Sequence, residues 1–185
     1  MIKKEKLPSE ETITTTPFRN SKKIYVKGKL HPINVAMREI EISDGISHRN
    51  GKAGATQGLT VYDTSGPYTD TGAKINLKSG LNRLRESWIL ERGDVEMLPE
   101  ISSVFGKERL YRSDLDYLRF EHIKKPLKAK AGKNVTQMHY ARQGMVTPEM
   151  EYIAIRENQR YDAEHQGMGL REITPEFVRK EIALF

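Results

Sequence analysis

The most informative absence in this chain is cysteine, of which its 185 residues contain none. Disulfides, zinc sites built on thiolates and cysteine nucleophiles are therefore excluded from these residues. Long apolar runs are missing too, since no stretch approaches the ~18 residues that a membrane-spanning helix requires. We expect a soluble, cytoplasmic protein that does not associate with membranes.

The chain is polar for a compact domain, because only 37% of its residues are hydrophobic and its mean hydropathy is −0.66. Its length suits one domain with an extension. We predict a disordered tail at 1–20, an N-terminal α+β domain at 21–145 and a helical extension at 146–185.

Alternating apolar residues predict short β-strands in the first half of the chain. Ile24 and Val26 share one side of the first strand, and Gly28 ends it. The first two strands suit antiparallel pairing, and a glycine-containing loop over 43–58 follows them. The predicted strands are 23–27, 33–42, 59–62 and a brief one around Ile75 and Leu77.

Helical periodicity appears after the strands. The segment 81–92 carries an apolar stripe and is followed by Gly93, as expected of a helix with a C-cap glycine. Two shorter helical pieces are expected on either side of Gly106. The stripe consists of Leu81, Leu84, Trp88 and Ile89, and the shorter pieces are 98–105 and 109–120. Aromatic residues at helical spacing, namely Trp88, Tyr111, Tyr117 and Phe120, are predicted to lie in the core.

Two later segments start helices with the same chemistry. Thr147-Pro148-Glu149 and Thr174-Pro175-Glu176 each offer a capping hydroxyl, a proline at the first helical position and an acid near the positive end of the helix dipole. We predict helices at 148–160 and 175–185. The predicted fold class is therefore α+β: a small mixed sheet with packed helices and a C-terminal helical extension.

Few residues form a recognisable catalytic or metal-binding pattern. Asp63-Thr64-Ser65-Gly66 resembles an aspartic-protease loop, but no second such motif is present, so a turn is favoured. The five histidines never fall at the spacing that places two imidazoles on one helix face. His139, in a segment predicted to be extended, is interpreted as a structural histidine. Arg142 and Arg156 suit either a phosphate or carboxylates of neighbouring elements.

Basic residues are in excess, with a net charge of +6 and a pI of about 9.4. Five lysines crowd a short segment, which makes a nucleic-acid-binding module an alternative function. Aromatic residues do not interleave with these lysines as stacking platforms would, so solvated lysines are favoured and a nucleic-acid partner is not expected. The lysines are Lys124, Lys125, Lys128, Lys130 and Lys133.

Two runs are distinctive in their residue order: VYDTSGPYTD at 61–70 and KNVTQMHYARQGMVTPEMEYIAIRE at 133–157. With them the chain resembles, from about Ser21 onward, the N-terminal region of phosphomethylpyrimidine synthase, the ThiC family of thiamine biosynthesis. Further matching blocks are SKKIYV, AMREI, GLNRLRESWILERGD and ITPEFVRKEIA.

The resemblance implies an N-terminal α+β domain that leads toward a (β/α)₈ barrel absent from these residues. Complete family members convert aminoimidazole ribotide to hydroxymethylpyrimidine phosphate by radical S-adenosylmethionine chemistry, usually as homodimers. They use a [4Fe-4S] cluster, S-adenosylmethionine and zinc or a similar divalent metal, held beyond the part that this chain resembles. A cysteine-free chain has no thiolates for such a cluster.

We therefore expect a non-catalytic scaffold that binds none of these cofactors itself and partners the barrel and cluster domains, in cis or as a separate chain. Nothing in the sequence supplies catalytic, cofactor-binding or metal-binding residues. An apolar patch on the helical extension, made of Ile153, Phe177, Val178 and Ile182, is expected to cause self-association. The candidate residues for a domain interface are Asn134, Gln137, His139 and Arg142.

Overall fold

The structure, a computed structural model, describes residues 20–42, 57–70, 73–76, 80–118, 124–158 and 172–185. Several sequence predictions lie outside the described residues. These are the tail up to residue 19, most of the loop at 43–58, the residues Leu77 and Phe120, and three of the five histidines, His48, His122 and His165.

A three-stranded antiparallel sheet forms the first half of the fold, in the order β1-β2-β3. Strand β1 (Ser21–Lys27) pairs with β2 (Asn34–Ile42) through a short hairpin, and β2 pairs with β3 (Gln57–Tyr62). The register sets Lys23 opposite Arg38 and Met37 opposite Tyr62. These three strands confirm the predictions made from alternating residues.

The two faces of this sheet differ in chemistry, because successive side chains of a strand point to opposite sides. Val35 and Met37 are almost completely buried on one face. Arg38, on the other face, is also buried. The segment after β3 forms a 3₁₀ helix at Gly66–Thr69 and contacts the Arg38 face, whereas a later helix, Pro148–Glu157, packs against β2.

A second sheet has two short antiparallel strands, β4 (Val95–Met97) and β5 (Leu127–Ala129). Helix α1 (Glu86–Glu91) precedes β4. Helix α2 (Val104–Tyr111) and a 3₁₀ helix at Ser113–Leu118 follow it. None of the residues of α2 is buried.

Three helices form the C-terminal core: α3 (Gln137–Arg142), α4 (Pro148–Glu157) and α5 (Pro175–Leu184). Thr147 caps α4 and Thr174 caps α5, each with a proline at the start of the helix, which confirms both predicted helix starts. The buried residues of this core are Ala141, Met150, Ala154 and Val178, with Val146, Ile153, Ile173, Ile182 and Ala183 packed around them.

The α+β class is confirmed, but the sheet was wrongly predicted to be mixed. Within the described ranges both sheets are antiparallel, because the β1–β2 connection is short and a parallel pair needs a long crossover. Ile75 is buried but lies outside any strand. The β4–β5 pair was missed, since three-residue strands carry no alternation long enough to recognise.

Several helix predictions need correction. Helix α1 starts at Glu86 instead of residue 81, and Leu81 and Leu84 of its expected stripe are exposed while Trp88 is buried. Gly106 lies inside α2 instead of separating two pieces. A Cβ at this position would lie 2.5 Å from the Ile101 side chain, so a larger residue would clash there and glycine avoids the clash.

Two predictions about exposure were wrong. Tyr111 and Tyr117 are exposed, by 84% and 75%, and do not belong to the core. The apolar patch expected on the helical extension is largely covered, because Val178 is buried and Ile153 and Ile182 pack on the C-terminal core; of its four residues only Phe177 stays exposed.

No helix in the described ranges has the length and apolar character needed to cross a membrane. The three-part division at residues 20 and 145 remains a prediction.

Candidate functional site

Two carboxylates in the first turn of α4, Glu149 and Glu151, connect this helix to two other parts of the fold. We call this pair the two-carboxylate clamp. Both side chains are buried, Glu151 almost completely. A buried carboxylate is strongly unfavourable unless hydrogen bonds or an opposite charge compensate for its lost hydration.

Glu151 is compensated by the loop between β1 and β2. Its Oε1 accepts from the backbone N–H groups of Lys29 (2.5 Å) and Leu30 (2.8 Å). Its Oε2 accepts from the backbone N–H of His31 and lies 2.8 Å from Nδ1 of the same residue. Burial alone would raise the pKa of Glu151, but these contacts outweigh it and hold the pKa below its usual value. Gly28 makes this approach possible, because a Cβ there would lie 2.5 Å from the His31 carbonyl oxygen and 3.1 Å from the Glu151 carboxyl carbon.

Glu149 is compensated by arginines at the two ends of α1. Arg92 donates to both of its oxygens at 2.8 and 2.9 Å. Arg85 donates twice to Oε1, at 3.1 and 3.2 Å. Burial would raise the pKa of Glu149, yet the Arg92 and Arg85 charges and hydrogen bonds hold that pKa below its usual value. Such forked arginine–carboxylate pairs fix geometry as well as charge.

An aromatic contact joins the same helix to the sheet. The hydroxyls of Tyr62 and Tyr152 lie 2.8 Å apart, and Trp88 of α1 packs 5.9 Å from the Tyr152 ring. Burial and the hydrogen bond with Tyr62 raise the pKa of Tyr152, so it stays neutral at physiological pH. Helix α4 is therefore anchored to α1, to the β1–β2 loop and to β3.

The opposite face of the sheet carries a second cluster, built from the Asp63–Asp70 segment. Asp63 Oδ2 lies 2.7 Å from Arg38 Nη2, and the Asp63 carboxylate also accepts from the backbone N–H of Ser65. Burial would raise the pKa of Asp63, but these contacts hold it below its usual value. The predicted turn is thus confirmed, with its acid tied to a buried arginine.

Strand β1 meets the end of this segment. Lys23 Nζ lies 2.8 Å from Asp70 Oδ1 and donates to the Gly66 carbonyl oxygen, and the Tyr25 hydroxyl donates to Asp70 at 2.7 Å. An open pocket of about 540 Å³ adjoins these groups. Its lining consists of Ser21, Lys22, Lys23, Tyr25, Arg38, Thr69 and Asp70.

The four residues predicted for a domain interface all lie between β5 and α4, but no described contact tests that role. Asn134 accepts from the backbone and hydroxyl of Thr136. Gln137 accepts from the Thr147 hydroxyl at 2.6 Å. His139 lies in helix α3, so the prediction of an extended segment was wrong: the N-cap Thr136 accepts from its N–H and starts a helix. Arg142 donates to the Ala183 carbonyl oxygen at 3.3 Å.

The other arginine that suited a phosphate, Arg156, pairs with the neighbouring Glu157 and lies over the Tyr62 ring. Among the clustered lysines, three bind the chain itself. Lys124 and Lys130 donate to the carbonyl oxygens of Leu81 and Gly93, and Lys133 lies 3.4 Å from Asp94. These contacts favour a structural role for the lysine cluster over nucleic-acid binding.

An iron–sulfur cluster requires thiolates, and the chain has no cysteine. Within the described ranges no three acidic or histidine side chains gather in a way that would hold a metal ion.

The sheet, the internally paired charges and the C-terminal core form a small α+β arrangement in which the buried carboxylates of the described residues are bonded to groups of the same chain. Comparison with protein-family models gives a match over part of the chain. Residues 17–96, fewer than half of the 185, match the ThiC-associated domain, which supports the interpretation of this part as a ThiC N-terminal region. The match covers the three-stranded sheet, the Asp63–Asp70 segment and α1, and over residues 17–96 it confirms the resemblance seen in the sequence. The run at 133–157 lies outside the match.

Proposed function

We propose that this chain acts as a non-catalytic scaffold within a ThiC protein of thiamine biosynthesis. In the complete form, the resemblance implies conversion of aminoimidazole ribotide to hydroxymethylpyrimidine phosphate by radical S-adenosylmethionine chemistry. In this proposal the barrel and cluster domains, in cis or on a separate chain, bind the cofactors, and the complete form is a homodimer.

The observation that carries the proposal is the use of the buried charged groups. Glu149, Glu151, Asp63 and Arg38 are all engaged by groups of the chain itself. Catalytic carboxylates and bases need access to a substrate in a cleft. Groups that are withdrawn from solvent and bonded internally suit the positioning of structural elements.

The exposed surface of α2 and the following 3₁₀ helix supports the proposal that this chain contacts another domain. Val104, Phe105 and Tyr111 of α2 are exposed by 72%, 67% and 84%, and Tyr117 by 75%. A helix of eight residues with no buried side chain gains little stability from its own domain. Aromatic side chains at this density are typical of the centres of protein interfaces. We propose that the barrel of the ThiC protein covers this surface.

Activity measurement tests the non-catalytic part of the proposal. The isolated chain is incubated with reconstituted cluster, reductant, S-adenosylmethionine and aminoimidazole ribotide, and pyrimidine phosphate is measured. We expect no product above the background of a reaction without protein. Turnover above that background would reject the proposal.

Co-purification tests the scaffold part. A tagged ThiC polypeptide that lacks this region is co-expressed with this chain, either wild type or carrying Phe105→Ser and Tyr111→Ser. We expect the wild type to co-purify and the double variant to be lost, with folding stability unchanged within about 0.5 kcal/mol because neither side chain is buried. Leu30→Ser, at a side chain exposed by 61% on the β1–β2 loop, is the control and should be retained. Equal retention of all three proteins would contradict the assignment of this surface.

A further inference from the structure

Strand β3 lies at one edge of the three-stranded sheet, and among the described strands β2 is the one that pairs with it. The backbone N–H of Asp63 donates to the Ala36 carbonyl oxygen, so the odd-numbered residues of β3 are the ones hydrogen-bonded to β2. The backbone groups of Gly58 and Thr60, which alternate with them, point away from β2. Groups of this kind at the edge of a sheet are a template for pairing with another strand.

The two edges of the sheet differ in how far they discourage such pairing. Strand β1, at the other edge, carries Lys22, Lys23 and Lys27 within its seven residues. Lysines on an edge strand oppose the addition of a further strand. Strand β3, with the sequence QGLTVY, contains no charged residue and no proline, and Thr60 and Val61 are of types favoured in strands. Strand β3 is therefore the edge whose chemistry suits a further strand.

An apolar side chain in β3 is also exposed. Leu59 is 40% exposed and lies directly opposite Ile40 of β2, which is half-buried. These two side chains share one face of the sheet, because directly opposed residues of paired strands point the same way. A strand added beside β3 with an apolar residue at this level would remove apolar area of Leu59 from water, which is favourable.

We propose that β3 pairs with β3 of a second copy of this chain, antiparallel and related by a two-fold axis at Leu59. In this register Gly58 of each copy lies opposite Thr60 of the other, and the outward backbone groups of both residues bond to the second copy. Leu59 meets Leu59 of the second copy at a non-hydrogen-bonded position, where opposed side chains are closest. The two three-stranded sheets then form one continuous antiparallel sheet.

A second copy suits this edge because β3 is complementary to itself. Like charges directly opposite each other destabilise a strand pair, and a strand without charged residues brings none together. The apolar Leu59 is matched by the same apolar residue across the axis. Each copy uses the same patch, as in closed two-fold dimers. An antiparallel pairing of β1 with itself would instead bring the lysines of both copies close together.

The proposed β3 pairing deepens the homodimer of the proposed function, on which it rests, by giving that dimer an interface within this chain. The exposed surface of α2 is not part of the interface. The variant with Phe105→Ser and Tyr111→Ser should therefore self-associate as the wild type does, although it loses the contact with the barrel. Failure of the β3 pairing would leave the barrel contact and the scaffold role standing.

Analytical ultracentrifugation of the chain measures its self-association. Pairing through one short strand belongs to the class of small, weak interfaces, so concentrations from about 5 μM to about 500 μM are compared. We expect the wild type to pass from monomer to dimer in this range. Leu59→Lys should raise the Kd of the dimer about tenfold or more, because it removes the apolar contact and sets like charges opposite each other.

Leu30→Lys is the matched control, since Leu30 is exposed by 61% on the β1–β2 loop, away from β3. We expect this variant to dimerise as the wild type does. A wild type that stays monomeric over the whole range would overturn the proposal. Equal dimerisation of Leu59→Lys and Leu30→Lys would overturn it as well.

Disulfide trapping tests the register, because the chain contains no cysteine of its own. Opposed residues at a non-hydrogen-bonded position have Cα atoms about 4.5 Å apart, within the ~4.4–6.8 Å that a disulfide spans. We expect Leu59→Cys to form a covalent dimer under mild oxidation. The Thr60 Cα atoms of the two copies would lie roughly 8 Å apart, so Thr60→Cys should cross-link poorly. The exposed Leu30→Cys measures random collision, and cross-linking of either control as fast as Leu59→Cys would overturn the axis at Leu59.

A proline variant tests the part played by the backbone. Thr60→Pro removes an N–H that points away from β2, and proline is tolerated on an edge strand in that orientation. The bonds of Leu59 and Val61 to β2 are retained, so we expect a folded monomer, with folding checked by thermal melting. A folded Thr60→Pro variant that dimerises as the wild type does would overturn the pairing. Should the proline unfold the chain, Leu59→Lys gives the decisive result, because it changes a side chain that is already exposed.

Discussion

Replacing Glu151 by Gln is the sharpest test of how this fold is held together. Both oxygens of Glu151 act as acceptors, for three backbone N–H groups and for the His31 imidazole. Glutamine offers one acceptor oxygen and places an NH₂ donor against N–H groups that also donate. At least one backbone donor of the loop therefore loses its partner in a buried place.

The magnitude follows from the burial. A hydrogen bond to a charged group contributes about 1.5–3 kcal/mol, and a buried donor left without a partner costs about 1–3 kcal/mol. We expect Glu151→Gln to lower the free energy of unfolding by about 1.5–3 kcal/mol. That is a large fraction of the ~5–15 kcal/mol by which domains are stable.

Urea denaturation followed by tryptophan fluorescence measures this change. The chain has one tryptophan, Trp88, which is buried and packs on Tyr152 of α4, so its emission reports the region that the clamp holds. Glu157→Gln is the matched control, since Glu157 is exposed at the other end of α4 and pairs with its neighbour Arg156. We expect less than about 1 kcal/mol for the control. A loss below about 1 kcal/mol for Glu151→Gln, or a loss equal to that of the control, would refute the reasoning.

The remaining predictions concern pH, glycine and helix caps. The pKa values of Glu149 and Glu151 are lower in the folded state, so the stabilisation by these carboxylates is fully present above the usual glutamate pKa of about 4.3 and is lost as the pH falls through their folded-state pKa values. Urea midpoints measured from pH 7 downward should therefore fall in acid, and they should fall less steeply for Glu151→Gln than for the wild type. Parallel curves for the two proteins would contradict this. Gly28→Ala should cost about 1–3 kcal/mol by overpacking, because its Cβ meets a backbone oxygen at 2.5 Å; a neutral effect in the same urea assay would show that the loop relaxes. Thr147→Ala should cost about 2 kcal/mol and Thr174→Ala about 1 kcal/mol, since both hydroxyls cap helices but only Thr147 is buried; the reverse order in chemical denaturation would argue against the role of burial.

Local patterns in the sequence correctly predicted the elements that depend on interactions between residues close together in the chain. Alternation located the three strands of the sheet, and the two Thr-Pro-Glu segments located the starts of α4 and α5. In each case the signal lies within a few consecutive residues. Capping hydroxyls and apolar alternation act over that same distance.

Ion pairs between residues far apart in the chain were not predicted from the sequence. Glu149 was recognised as an acid near a helix dipole, but its arginine partners lie 57 and 64 residues away. No local pattern distinguishes a glutamate that will be buried from one on a solvated face. For the same reason the ion pair between Arg38 and Asp63 was not predicted. In the sequence they were a strand residue and a turn residue, and in the fold they form a buried ion pair. The short β4–β5 pair also depends on contacts outside its own residues, whereas the capping Thr136 of α3 is a local signal that the sequence analysis missed.

The placement of Glu149 and Glu151 around α4 has a mechanical consequence. Successive residues of an α-helix are about 100° apart, so these two carboxylates leave the axis about 200° apart, on nearly opposite sides. One side is fastened to the ends of α1 and the other to the hairpin loop. A roll of the helix about its own axis would have to break one of these attachments, so the two carboxylates together resist rotation of α4 relative to α1 and the β1–β2 loop.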